Sequence, residues 1–277
     1  MIGTAQPYLD IANVRYQFSP TKGGSTPEKI KNTFQYINFS FNLPIQFKKD
    51  SSILVFSPYT DRWKISIDDE TMGAVHSIAL PLTYIKRIDE RWTAALTAIV
   101  RWNSQQSKLA RTNLQAGGAM LFTYKKQRNL SYKAGLYYNN EFFGHFVVPL
   151  VGVDWRIDRN NSLFGVLPGN LTYEHKLNGR LYVGGVFRAI TNSYKIENVT
   201  PIPNPYIRIE ENHVGAFGDF YLSKGLVLNA EIAHSVLRRF RMGYQHGDPK
   251  YYFSKNIQDN VVFKIACAYR VRFAETP

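Results

Sequence analysis

Residues 261–273 read VVFKIACAYRVRF. The odd positions Val261, Phe263, Ile265, Cys267, Tyr269, Val271 and Phe273 are all apolar or aromatic. The even positions include Lys264, Ala266, Ala268, Arg270 and Arg272. Side chains of a strand alternate between its two faces, so this segment has one greasy face and one small or charged face. It is roughly twice the usual soluble strand of about 5–6 residues. A tilted strand crossing the hydrocarbon of a membrane needs about 9–11 residues. A long edge strand of a soluble β-sandwich would read the same way, so the rest of the chain must separate the two.

The same alternation recurs through the 277 residues, most cleanly where Ile37, Phe39, Phe41, Leu43, Ile45 and Phe47 oppose Asn38, Ser40, Asn42 and Gln46. A soluble sheet rarely sets amides behind so long a greasy stripe, whereas a barrel with lipid outside and a polar lumen does. No run of 18 apolar residues exists for a transmembrane helix, yet 44% of the chain is hydrophobic and 18 Tyr and 18 Phe are spread along it. The fold class expected is therefore all-β: a single-domain, transmembrane, antiparallel up-and-down β-barrel over residues 1–277. Such a chain must be exported, and the expectation is that a signal was removed and that Met1 to Ala5 is a leftover or a start codon.

Further strands are expected near Pro7–Phe18, Ile53–Ile67, His76–Ile85, Trp92–Trp102, Leu114–Tyr124, Leu130–Tyr138, Val147–Ile157, Arg180–Ile190, Ile207–Leu222 and from Gly225 to Met242. Two tryptophans ten residues apart, Trp92 and Trp102, suit one at each membrane interface. Connections alternate long and short up to residue 162. Barrels of this kind have an even strand count, both termini periplasmic, short periplasmic turns and longer outer loops. One full crossing by Leu163–His175 would give thirteen strands and place later long loops on the wrong side. Without it the count is twelve. Pro168-Gly169 supports a reversal, because proline removes a ladder donor and glycine permits the turn. The segment 163–178 is thus expected to be re-entrant or periplasmic. Its Leu163, Leu167, Pro168 and Gly169 would fold as a partial plug against the small inward residues Gly117, Ala119, Gly135 and Gly152.

The block LFGVLPGNLTYEHKLNGRLYVGGVFRA, following a strand that ends DWRIDRNN, resembles a family of Bacteroidota outer-membrane β-barrel proteins of unknown function. The parts that carry the likeness are Leu163–Val166, Pro168, Leu171-Thr172-Tyr173 and Leu181–Phe187. The resemblance implies the barrel and the bacterial outer membrane, and it implies no activity. The alternating terminal strand, closing on Phe273, also resembles the signal by which outer-membrane barrels are recognised by their assembly machinery, although Ala274–Pro277 overhang it.

Chemistry is sparse. The single Cys267 lies on an apolar face and excludes an internal disulfide or a cysteine metal cluster. The six histidines are scattered, no metal site is expected, and Asp68, Asp69 and Glu70 read as a solvated acidic tip. No cofactor is implied. Length and strand number also suggest the outer-membrane phospholipase, but its Asn-His-x-Ser-type signature is absent. The adjacent His234 and Ser235 would face opposite sides of a strand. No catalytic residue is expected.

What remains is charge. The net charge is +13. No basic cluster rides on a helix or a nucleic-acid motif, so membrane lipid and lipopolysaccharide are the expected surroundings rather than nucleic acid. Alternation places Arg15, Arg62, Lys64, Arg101, Lys133, Arg156, Arg188, Arg239, Arg241, Lys264, Arg270 and Arg272 in the lumen, against the acids Asp154, Glu211, Asp219 and Glu231. Two functions follow. One is a small channel or uptake barrel with a basic lumen favouring a small anionic solute. The other is a closed structural or interaction barrel acting through its outer loops, which carry Tyr194, Tyr206, Tyr244, Tyr251, Tyr252 and Phe253.

Overall fold

Each strand hydrogen-bonds antiparallel to its sequence neighbour, and the last meets the first: Tyr8 lies opposite Arg272 and Phe18 opposite Phe263. The computed structural model describes residues 7–22, 31–47, 52–67, 70–105, 110–196, 204–246 and 248–273. Its strands are β1 (Tyr8–Lys22), β2 (Lys31–Phe41), β3 (Leu43–Gln46), β4 (Ile53–Phe56), β5 (Tyr59–Ile67), β6 (Glu70–Arg87), β7 (Trp92–Ser104), β8 (Leu114–Gln127) and β9 (Leu130–Glu141). They continue as β10 (Gly144–Arg156), β11 (Asn161–Leu167), β12 (Asn170–Lys176), β13 (Leu181–Lys195), β14 (Pro205–Tyr221), β15 (Leu226–His246), β16 (Asp248–Asn256) and β17 (Val261–Arg272). Among the described residues no helix is long and apolar enough to cross a membrane.

Three strands of the wall are each broken in two. β2 and β3 are parted at Asn42, whose side-chain amide donates to the Asp10 carbonyl. β4 and β5 are parted at Ser57-Pro58, where proline has no N–H to donate. β16 and β17 are parted at residues 257–260. Seventeen segments therefore make fourteen strands, not the twelve expected.

The two additional strands are β11 and β12. Segment 163–178 is not a re-entrant plug: β11 pairs with β10, β11 with β12, and β12 with β13, all within the wall. Leu167 lies directly opposite the outward Val151, so it faces out rather than into the lumen. A reversal at Pro168-Gly169 adds one strand up and one down, which preserves the even count without a full crossing. The small residues meant to receive a plug are approached by neighbouring strands instead. A Cβ on Gly135 would lie 2.0 Å from the Met120 carbonyl oxygen, and one on Gly152 2.4 Å from that of Gly165.

At seven residues each, β11 and β12 reach only part of the way up the wall. Above their tip, Gly144–Leu150 of β10 and Ile190–Tyr194 of β13 have no strand on the side where the hairpin ends, among the described residues. The upper end of β13 stays paired with β14 as far as Lys195 and also reaches β7, where Lys195 pairs in parallel with Ser104 and its carbonyl accepts from Gln105 N–H. The wall is therefore complete near the termini and split near the outer loops.

Three of the lower connections share one device. An Asx side chain accepts from the N–H groups two and three residues on: Asp89 from Arg91 and Trp92, Asp158 from Asn160 and Asn161, and Asn178 from Arg180 and Leu181. These short turns lie at the same end as both termini, the periplasmic end of such barrels. At Asp158 the bond from the Asn161 side chain, with those from the two backbone N–H groups, holds the carboxyl below its usual range.

The lumen as candidate functional site

The greasy stripes face outward where the membrane would lie. Phe39, Phe41, Leu43, Ile45 and Phe47 are exposed, as are Ile78, Leu80, Leu82 and Tyr84, and Phe263, Ile265 and Tyr269. The opposite faces line the lumen, which divides into a closed mouth at the outer end and a cavity below it.

The mouth is packed like a protein core. Phe34, Trp63, Ile65, Val75, Tyr194, Ile196, Ile207, Ile209, Phe240 and Ile257 form one buried cluster. Beside it, the inward end of β13 is tied to β7, β8 and β9 by buried polar groups. The Glu141 carboxylate pairs with Arg101 and accepts from the Ser193 hydroxyl at 2.6 Å and the Gln115 amide at 3.1 Å. Asn103 donates to Gln115 and to the Ser193 carbonyl, both at 3.0 Å. Arg101 also donates to Asn192 at 3.0 Å. A second buried group joins Arg238 to Glu211, with His213 2.8 Å from the same oxygen.

Below the mouth lies a cavity of about 620 Å³. Its charged lining is Arg15, Lys133, Arg188 and Arg270 against Asp10 and Asp219. Arg270 bonds to Asp10 and Asp219, each at 2.5 Å. Arg188 and Lys264 share Glu231, at 2.5 and 2.8 Å. Lys133 pairs with Asp154 at 2.8 Å. Toward the periplasmic end, Arg272 pairs with Glu174 and stacks over Tyr182 with its guanidinium 3.6 Å from the ring centre. Arg156 faces a narrow space there with Arg159, Glu174 and Arg272.

Of the expected lumen bases, Arg15, Arg101, Lys133, Arg156, Arg188, Lys264, Arg270 and Arg272 lie on the inner face. The acids Asp154, Glu211, Asp219 and Glu231 are all buried there. Arg62 and Lys64 are not in the lumen: they are exposed, while Trp63 and Ile65 between them turn inward at 0% and 2% exposure. Nor is Arg239, which reaches Asn256 on the outer side together with Arg241, on the face opposite Arg238 and Phe240. The reason is a β-bulge: Leu237 has a φ of 56°, and the register with β14 shifts between Glu210 and Asn212. The slip gives the inward position to Arg238. The acids Asp10, Asp61, Glu141 and Glu174 also join the lumen, so its bases are largely paired and the expected excess of base over acid shrinks. Asp61 donates nothing to that pairing; it accepts from the Tyr194 hydroxyl at 3.3 Å.

The loop aromatics divide as well. Tyr194 and Tyr206, expected to be exposed, are fully buried, Tyr194 in the mouth and Tyr206 against Tyr251 and Gly243 of the β15–β16 hairpin, whereas Tyr251 and Tyr252 are exposed on that hairpin. Ser235 is fully buried and bonds to Asp259, while His234 is exposed on the other face, so the two form no dyad. Asp68 and Asp69 lie outside the described residues. No cluster of metal-ligating side chains occurs among the described residues.

A closed antiparallel barrel with an apolar outer band and a polar interior is the architecture of a bacterial outer-membrane β-barrel, and this chain is one. It belongs to the family described as a domain of unknown function, DUF6268, whose model matches residues 11–274. Among solved structures it is similar to the COG4313 outer-membrane channel from Pseudomonas putida F1, with a TM-score of 0.52 and 10% identity over 96% of each chain. It is more distantly similar to the P. putida toluene transporter TodX, with a TM-score of 0.44 and 9% identity over 98% of this chain and 91% of that one. The NanC porin follows, with a TM-score of 0.41 and 8% identity over 94% and 100%. No curated protein matches the chain.

Proposed function

We propose that the chain is an outer-membrane uptake channel for small solutes, seen with its outer mouth shut. The observation that carries this reading is the 620 Å³ cavity with charged walls beneath a packed mouth. A purely structural barrel has no use for such a space, and filling it with side chains would bury more apolar area. The mouth is held partly by polar groups, and the segment that closes it, upper β13, is bonded across to β7 and β9 as well as to β14. Uptake would then require that segment to move. The anion bias read from composition becomes local, because most lumen bases have acidic partners. The likeness of the 163–187 block to Bacteroidota outer-membrane barrels is what supports a Bacteroidota membrane as its setting.

Conductance in a planar bilayer under a salt gradient tests the reading. Folded wild-type protein should conduct weakly or in brief openings. A variant with residues 197–203 lengthened by a flexible insert, which loosens the β13–β14 hairpin, should conduct steadily. A loosened variant that folds and stays silent would sink the channel. The second reading, a closed barrel that binds a partner at its outer surface, draws on the exposed Tyr251 and Tyr252. It predicts that replacing both by serine abolishes that binding and leaves conductance unchanged.

A further inference from the structure

Most of the charges that line the cavity pair off. Arg270 has Asp10 and Asp219, Lys133 has Asp154, Arg188 and Lys264 share Glu231, and Arg272 has Glu174. Arg15 faces the cavity and has no hydrogen-bond or ion-pair partner among the described residues. Arg188, of its own sign, acts on it, as do the acids Glu231, which already serves two bases, and Asp10, which already serves Arg270. Both acids are thus already engaged. A guanidinium in the middle of a barrel is tolerated only if water or an anion meets it.

Two residues away on the same face, Asn13 adds a second open position. It is 9% exposed, it lines the cavity, and its Oδ1 has no hydrogen-bond partner. The rest of the wall supplies apolar surface from Tyr8, Phe164, Val166 and Phe217. A volume of 620 Å³ falls within the roughly 300–1,000 Å³ of small-molecule sites, which combine an apolar lining with a few placed polar groups.

We propose that this cavity binds a small organic acid: a carboxylate paired with Arg15, a hydroxyl or amine donor facing Asn13, and an apolar body against the aromatic wall. A planar guanidinium matches a carboxylate with two parallel hydrogen bonds. The proposal names the solute class of the uptake reading, on which it rests for its purpose, while its test measures binding alone.

The probes are mandelate, its neutral amide mandelamide, and inorganic phosphate, titrated into folded protein in detergent by calorimetry. Mandelate should bind at least about tenfold more tightly than mandelamide, the worth of one charge-assisted hydrogen bond. It should also bind more tightly than phosphate, which has no apolar body. Arg15→Gln should erase the preference for mandelate over mandelamide, and Arg62→Gln, on the outer face, should keep it. Heat-dependent migration on a denaturing gel checks that each variant is folded. Equal binding of mandelate and mandelamide, an unchanged preference in Arg15→Gln, phosphate as tight as mandelate, or no binding at all would each overturn the site. Bound mandelate in a protein whose loosened variant never conducts would overturn uptake and leave the site standing. Steady conductance without bound mandelate would do the reverse.

Discussion

The lower and upper halves of this barrel follow opposite polarity. Near the periplasmic turns the outer face is greasy and the inner face is charged and paired, as at Phe263 and Ile265 against Lys264 and Arg270. Near the outer loops the pattern inverts: Arg62 and Lys64 project outward, and Trp63 and Ile65 pack inside. The alternation of the backbone is the same in both halves. What changes is the solvent, because strands that rise above the hydrocarbon meet water outside and can bury a core within. The lower half can therefore keep a cavity, and the upper half can close it.

The largest test of this division is Glu141→Ala. It leaves Arg101 buried without its carboxylate and strips acceptors from Ser193 and Gln115. Breaking a buried pair from one side typically costs about 3–5 kcal/mol. The temperature at which the folded band converts to the unfolded one on a gel should drop sharply, and conductance should rise as β13 is released. If conductance stays low, β13 is not held by this group.

Next comes the apolar part of the mouth. Ile65→Ala should cost about 2–4 kcal/mol by cavity formation, whereas Ile265→Ala, on the lipid face and 61% exposed, should cost far less. Equal losses in the same gel assay would mean that the mouth is not a packed core and that the two halves do not differ.

Gly184→Ala probes the lower half. A Cβ there would lie 1.9 Å from the Tyr173 carbonyl oxygen and 2.8 Å from the ring of Phe217, which lines the cavity. The wall must part from β12 or the ring must swing into the cavity, at about 1–3 kcal/mol. Reduced stability with weakened mandelate binding would show that the ring moves. Reduced stability with unchanged binding would assign the strain to the strands.

The same division explains what could be read from the chain alone. The lipid-facing stripes of β2, β6 and β17 are legible because one greasy face against amides or charges has few other meanings. The inward charges of the lower half follow from them by parity. Parity then fails at identifiable places. A bulge at Leu237 exchanges Arg239 for Arg238, and no local composition marks it, since the sequence there is a run of three basic residues around Phe240. Glu141 looks like part of an aromatic loop because β9 and β10 are joined by only two residues, which leaves the acid inside the mouth. The β11–β12 hairpin is too short to read as two crossings, though its proline and glycine mark the reversal. Arg15, by contrast, was placed by alternation. Its lack of a partner could not be, because pairing depends on Glu231, Asp10 and Asp219 from strands far apart in sequence.

The smallest expected effect is the sharpest check on the inversion. Arg62→Gln and Lys64→Gln together should shift stability by no more than about 0.5 kcal/mol and leave conductance and its ion preference unaltered, because both side chains stand outside the wall. Bases lining a pore would change the reversal potential when neutralised. A shifted reversal potential would return β5 to the polarity of the lower half and with it Trp63 and Ile65 to the lipid, which their near-complete burial opposes. The comparison thus rests on a pair of residues whose removal should do almost nothing.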